Sequence, residues 1–312
     1  MKDKKFIFIF GSQRSGTTLL FNVLSKHSEI KATPNDLNLV TIFNGDKNAL
    51  DSNKKKLVEW RLMSLDLLFK IFSDVPHKQS LKFIFTKYFN RYKEQICLHK
   101  IPKGEFDLDY YRETFSNALY IYVIRNPLAI LASRKYWKLS NPKFKLWKSI
   151  EKQNLTFSGI KKYGYFFRKH LLEVLNSFVI IDKNSRKFDT LKIVDYEDLV
   201  TCPDKVIIDI LSSIDLEYYY KLYFSIRQLA NPYTSYSDLK NKQGIYTNSL
   251  DNWKTKLTLT EKWLMRNEII NFFSNYNFNS EVLKNHIKEY LIAIDRDLEI
   301  YYTQEKKSWK RL

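Results

Sequence analysis

The 312-residue sequence predicts an α/β fold, a P-loop-like parallel sheet flanked by helices on both faces in a single domain. Three observations predict it. Short apolar, strand-like runs alternate with helix-like patterns along the chain, the order that builds a parallel sheet covered by helices. The first run opens into a Gly11-x4-Gly16 loop that leads straight into a helix pattern. No Pro/Gly/Ser-rich linker or internal repeat interrupts the chain, and 44% hydrophobic and 16% aromatic residues suffice for a large core. The expected boundaries are one domain over residues 1–303 and a basic C-terminal tail over 304–312.

In order, Lys5 to Phe10 reads as the first strand. Thr17 to about Lys26 reads as a helix that buries Leu20, Val23 and Leu24 at i, i+3, i+4 spacing. Residues 31–48 read as loop-rich and Leu57 to Phe72 as a helix. Gln95 to Leu98 is expected as a short strand ending in His99-Lys100-Ile101-Pro102, and Leu119 to Ile124 as a buried parallel strand. A helix is expected from Leu128 to Trp137 with Pro127 near its first turn. Residues 138–188 yield no assignment beyond helix and loop. Leu191 to Val194 is a further strand, Thr201-Cys202-Pro203-Asp204 reads as a capping-box start for a helix to Ser213, and Ser280 to about Tyr302 reads as a long amphipathic helix. In such a sheet ligands bind at the carboxyl ends of the strands, and Gly11, Lys100, Arg125 and Asp195 fall at or just past those ends.

The first loop, Gly11-Ser12-Gln13-Arg14-Ser15-Gly16-Thr17-Thr18, has the strand–turn–helix order that cradles phosphate on backbone N–H groups and a helix N-terminus. Thr17 stands where a Walker A lysine would reach the β- and γ-phosphates, so a nucleoside triphosphate is a poor fit. Hydroxyls of Ser15, Thr17 and Thr18 and the Arg14 guanidinium suit one compact oxyanion group. At the tip of the 119–124 strand, where a Walker B aspartate would help hold Mg²⁺, stands Arg125, a bidentate anion clamp. Ser133 follows eight residues later, about two helical turns on. A cation and a hydroxyl there suit a second phosphate, so the pair of sites points to a nucleotide phosphorylated at both ends of its ribose.

Gln13-Arg14-Ser15-Gly16-Thr17-Thr18-Leu19-Leu20 resembles the 5′-phosphosulfate loop of sulfotransferases that use 3′-phosphoadenosine 5′-phosphosulfate (PAPS). Tyr122 to Ser133 resembles their 3′-phosphate motif, with the family's Arg and Ser at Arg125 and Ser133. Asp195-Tyr196-Glu197-Asp198-Leu199-Val200 is similar to the family's Tyr-Glu-Asp-Leu segment. Asn248 to Trp253 is similar to the loop before the helix that closes over the nucleotide. The resemblance implies cofactor contacts from Arg14, Ser15, Gly16, Thr17, Thr18, Arg125, Ser133, Tyr196 and Ser249. Lys100-Ile101-Pro102 matches the Lys-x-Pro of the carbohydrate and tyrosylprotein branch, which gives Lys100 the task of stabilising the leaving group. The implied reaction is in-line transfer of a sulfuryl group from PAPS to a hydroxyl or amine, with a carbohydrate expected first among acceptors. No metal is expected, because lysine, arginine and backbone donors neutralise the lightly charged sulfuryl group.

The general base is open in the sequence. The family's glutamate lies about twenty residues past the loop arginine, where this chain reads Thr33-Pro34-Asn35-Asp36-Leu37, so Asp36 is the nearest carboxylate. His99 competes, but a lysine facing the site turns its neighbour to the other side of the strand. Fifty-two Lys and Arg against 34 Asp and Glu leave a net charge of +18, which favours anionic partners such as an acidic glycan or glycolipid acceptor, though a small-molecule acceptor is also open. No nucleic-acid module is present, so nucleic acid is not expected as a partner. Cys97 and Cys202 are the sole cysteines, too few for a disulfide framework, and no Cys/His cluster has metal-ligand spacing. The apolar run before Gly11 is too short for a signal peptide and no run spans a bilayer, so a cytoplasmic location is expected. The alternatives are a P-loop nucleotide kinase or NTPase, which the missing lysine opposes, and a catalytically inactive anion-binding relative.

Overall fold

A computed structural model describes residues 4–34, 36–40, 59–60, 77–140, 157–219, 222, 245 and 247–309. The chain divides into two compact units. The first comprises Met1–Ile124, Phe188–Leu229 and Gln243–Ile245, and the second Arg125–Lys187, Ala230–Lys242 and Tyr246–Leu312.

The first unit holds the sheet. Its strands are β1 (Lys5–Gly11), β2 (Ile30–Ala32), β3 (Ile96–Pro102), β4 (Leu119–Ile124) and β5 (Leu191–Asp195), all parallel in the order β2-β3-β1-β4-β5. The α/β class and the parallel sheet are as the sequence predicts. Helix α1 (Thr17–Leu24) follows β1, and α2 (His77–Phe89) and α3 (Leu108–Thr114) flank β3 in sequence. Strand β1 shows how alternation sorts residues between faces. Phe8 meets Phe85 of α2, Tyr111 of α3 and Tyr120 of β4, with ring centroids 5.6, 5.4 and 5.6 Å apart. On α1, Leu20, Val23 and Leu24 are buried at the predicted spacing.

Two strands depart from expectation. Residues 30–32 form an edge strand whose last two residues fall in the stretch read as loop, because three residues with one buried Ile carry no periodic signal and pairing with β3 decides their conformation. Strand β3 runs on to Pro102, so Lys100 lies within the strand, paired in register with Ile9.

Beyond β5 come α6 (Tyr196–Thr201) and α7 (Pro203–Ser212). The expected capping box at Thr201 is absent: Thr201 Oγ1 donates back to the Glu197 carbonyl, finishing α6, and Cys202 occupies the N-cap of α7 without a side-chain bond. Asp195 is the cap that forms here, its Oδ1 accepting from Glu197 N and Asp198 N at 2.6 and 3.2 Å.

The second unit is helical in its described residues. It contains α4 (Pro127–Ser140), α5 (Phe157–Ser185), α8 (Asn252–Lys256), α9 (Leu259–Phe273) and α10 (Glu281–Trp309), with a 3₁₀ turn at Thr247–Ser249. Much of the unassigned middle is thus one long helix, α5, which packs on α4 and α9. Asp182 of α5 is buried and accepts from Tyr276 Oη and from the Asn279 and Ser280 amides, fixing the entry to α10. Helix α10 continues to Trp309, past the expected stop near Tyr302, and buries Leu283, Ile287, Ile294 and Leu298 while leaving Val282 exposed. The reading of 57–72 as helix lies outside the described residues except at 59–60, as do residues 41–48 and 141–156 and the end of the tail at 310–312. Among the described residues, no helix is long and apolar enough to cross a membrane.

Candidate active site

In the first unit the chain leaves β1 through Gly11, whose φ of 153° brings its Cα against the Val123 carbonyl. A Cβ there would stand 2.7 Å from that oxygen and 2.8 Å from Ser15 Oγ. The loop turns on a Ser15 N–H to Ser12 carbonyl bond of 3.0 Å with Arg14 at φ 77°, and enters α1 through Gly16 at φ 104°. Its N-cap, Gly16, has no side chain to bond the first turn, and no acidic residue occupies that turn. The first-turn N–H groups have no intrahelical partner, and with the positive end of the dipole they can receive an anion.

Ser15 is fully buried, and its hydroxyl has no hydrogen-bond partner among the described residues. A buried polar atom of that kind costs free energy unless a ligand or water completes it. Arg14, Thr17 and Thr18 of the same loop and helix start are half-buried. Tyr196, at the start of α6, lays its ring on the loop: a Cβ on Gly16 would fall 2.2 Å from Tyr196 Cδ2 and 2.6 Å from Cε2. Tyr196 thus braces the loop through Gly16.

The two catalytic candidates come together beside this loop. Lys100 Nζ donates to Thr18 Oγ1 at 2.7 Å and pairs with Asp36 Oδ2 at 3.3 Å, with side-chain exposures of 13% and 34%. The lysine is directed, not solvated: its contact is with α1, on the side of the sheet opposite its neighbour. His99 points the other way. It is fully buried among Phe8, Trp60 and Phe85, bonded at Nδ1 to Thr33 Oγ1 and at Nε2 to the Leu37 carbonyl, both at 2.8 Å. A carbonyl only accepts, so Nε2 carries the proton and Nδ1 receives the threonine hydroxyl. Both nitrogens are engaged by the core, and His99 serves to hold the 33–37 segment that carries Asp36.

In the second unit, Arg125 is the residue bonded directly to Ile124, the last of β4. It is 7% exposed, and its Nη2 donates to the Ser249 carbonyl at 2.9 Å. Asn126 caps α4, its Oδ1 accepting from Leu128 N at 2.8 Å, which explains why Arg125-Asn126-Pro127 turns directly into a helix. Ser133 is buried on that helix. The part of Ser249 seen here is its backbone, which holds the arginine. Sequence reasoning missed Lys135, buried on the same helix, whose Nζ lies 3.2 and 3.3 Å from the Glu261 carboxylate and 3.3 Å from the Lys256 carbonyl.

The sequence profile of the Sulfotransferase family matches residues 7–220. Among solved structures, the chain is similar to the sulfotransferase domain of the Synechococcus PCC 7002 olefin synthase, at 19% identity and a TM-score of 0.54, covering 86% of this chain and 95% of that one. It is similar to the sulfotransferase domain from the curacin biosynthetic pathway at 18% identity and a TM-score of 0.50, covering 82% and 92%. The mouse sulfotransferase SULT7A1 complexed with PAP matches at 12% identity and a TM-score of 0.50, covering 92% and 89%. At these identities the likeness is one of fold. No curated protein sequence matches the chain.

Proposed function

From the premise that this chain belongs to the sulfotransferase family, we propose that its donor is PAPS and that it sulfates a hydroxyl or amine of an acceptor, a carbohydrate first among candidates. The observation that carries the donor assignment is the buried Ser15 hydroxyl, without a hydrogen-bond partner among the described residues, in a loop whose helix begins at a glycine with no capping side chain. A small tetrahedral oxyanion fits those donors, and the loop lacks the lysine that a triphosphate would need. PAPS, when bound, supplies an activated sulfuryl group with 3′,5′-ADP as its leaving portion.

The residues divide the work. Arg14, Ser15, Thr17 and Thr18 with the α1 amides hold the 5′-phosphosulfate, and Gly16 keeps the approach open. Arg125 and Ser133 take the 3′-phosphate. Tyr196 and Ser249 act by support, the ring against Gly16 and the carbonyl on Arg125. Lys100 neutralises charge on the departing oxygen through a donor already fixed by Thr18 and Asp36, the kind of preorganised electrostatic contact that favours a transition state. Asp36 accepts the acceptor's proton.

The test is mass spectrometry of a panel of glycans, glycolipids and small phenols incubated with the protein and PAPS. The expected result is a gain of the mass of one SO₃ on at least one acceptor, matched by 3′,5′-ADP release. PAPS left intact by the protein with every acceptor class would overturn the catalytic reading.

A further inference from the structure

Helix α4 meets the 247–261 segment at two separated points. At its entry, Arg125 donates to the Ser249 carbonyl; ten residues on, Lys135 reaches the far end of the same segment. Lys135 is 8% exposed, and its ammonium joins two structures there. One is the C-terminus of α8, where the Lys256 carbonyl lies beyond the helix's own hydrogen bonds and favours a cation. The other is the capping box of α9, in which Thr258 Oγ1 accepts from Glu261 N at 3.2 Å and Glu261 Oε2 accepts from Thr258 N at 2.7 Å. Lys262 makes a similar pair of bonds, donating to the Lys254 carbonyl and to Asp297 Oδ2, both at 2.6 Å. Trp253, the residue before Lys254, is 2% exposed. The α8–α9 corner is therefore fixed by buried charge, and one of its two buried lysines comes from the helix that carries Ser133.

We infer that Lys135 is a positioning residue for recognition of the 3′-phosphate: by holding the α8–α9 corner on α4 it keeps the Thr247–Ser249 turn against Arg125 and so fixes the direction of the guanidinium. The inference rests on the assignment of Arg125 and Ser133 to the 3′-phosphate. Without Lys135, the Glu261 carboxylate and the Lys256 carbonyl lose a buried cation, the corner shifts, and the Ser249 carbonyl no longer orients Arg125. The contact to the 3′-phosphate weakens, while the 5′ side is assigned to residues of the β1–α1 loop.

Calorimetry with 3′,5′-ADP and 5′-AMP tests this on the full chain. Lys135→Met is expected to lower the preference for 3′,5′-ADP over 5′-AMP about 3- to 30-fold, the range of mutations that act through a packed network. The 5′-AMP affinity should stay at the wild-type value, and Lys135→Arg should regain most of the preference. If Lys135→Met does not fold, Glu261→Gln, which keeps an acceptor oxygen but removes the charge, should shift the same ratio in the same direction by less. A purely structural role would change the affinity for both nucleotides together or for neither, and either result overturns the inference. The underlying reading fails separately: wild-type protein that shows no preference for 3′,5′-ADP, or an Arg125→Ala variant that keeps it, would remove the 3′-phosphate site itself.

Discussion

Replacing Gly16 with alanine tests the phosphate loop through its shape. Gly16 sits at φ 104°, where an L side chain is strained by about 1–2 kcal/mol. The added Cβ would also lie 2.2 Å from Tyr196 Cδ2 and 2.6 Å from Cε2, well inside contact distance, and the clash is with a ring that is 7% exposed. Forcing that ring aside is overpacking, about 1–3 kcal/mol. Together the change should cost about 2–5 kcal/mol, a large part of the roughly 5–15 kcal/mol that holds a protein folded. Urea unfolding of four proteins separates the contributions: wild type, Gly16→Ala, Tyr196→Ala and the double variant. With the ring already gone, Gly16→Ala should add only its backbone strain, about 1–2 kcal/mol, leaving a coupling of about 1–3 kcal/mol between the sites. An increment equal in both backgrounds would refute the claim that Tyr196 braces the loop at Gly16. A Gly16→Ala protein of wild-type stability would refute the strained geometry as well.

Further outcomes follow from the same site. Lys100→Ala should lower kcat and kcat/KM together by roughly 10²- to 10³-fold while 3′,5′-ADP affinity changes little, as for other preorganised donors that act in the transition state; steady-state kinetics beside calorimetry reads both. Asp36→Asn should reduce transfer most where the wild-type rate depends on a deprotonated base, flattening the acid side of the pH–rate profile, whereas an unaltered profile would assign Asp36 to holding Lys100 alone. Burial pushes the Cys97 thiol up to about 12, so thiolate is scarce at neutral pH in the folded chain, and Cys202 is the exposed thiol. A colorimetric thiol titration should therefore count one fast-reacting cysteine in native protein and both in denaturant; rapid reaction of both in the native state would contradict the burial of β3.

What the sequence made legible was local. The run Phe6 to Phe10, the glycine spacing and the Leu20, Val23, Leu24 stripe place a strand, loop and helix without knowledge of any partner, and they form as expected. Strand alternation alone separates Lys100 from His99, and the two do face opposite ways. The proximity of Asp36 to Lys100 is a tertiary fact, reached because His99 and Thr33 tie two distant segments together. Strand β2 has too few residues for a period, and its conformation comes from pairing with β3. The Thr-x-x-acid pattern at 201 misled because Thr201 closes the preceding helix, whereas the same pattern at Thr258 makes a true box with Glu261. Lys135 could not be found by any local rule, since its carboxylate partner lies 126 residues away.

The central claim is that the chain's anion sites accept a nucleotide phosphorylated at both ends of its ribose. Calorimetric titration of the wild-type protein in EDTA with 3′,5′-ADP, 5′-AMP and ATP, the last repeated with Mg²⁺ in excess, tests it most directly. 3′,5′-ADP should bind at least about 30-fold more tightly than 5′-AMP, the value of one charge-assisted phosphate contact at about 2 kcal/mol. EDTA should leave this binding unchanged, and ATP should be the weaker ligand with or without metal. Tight, Mg²⁺-dependent binding of ATP with no gain from the 3′-phosphate would contradict it.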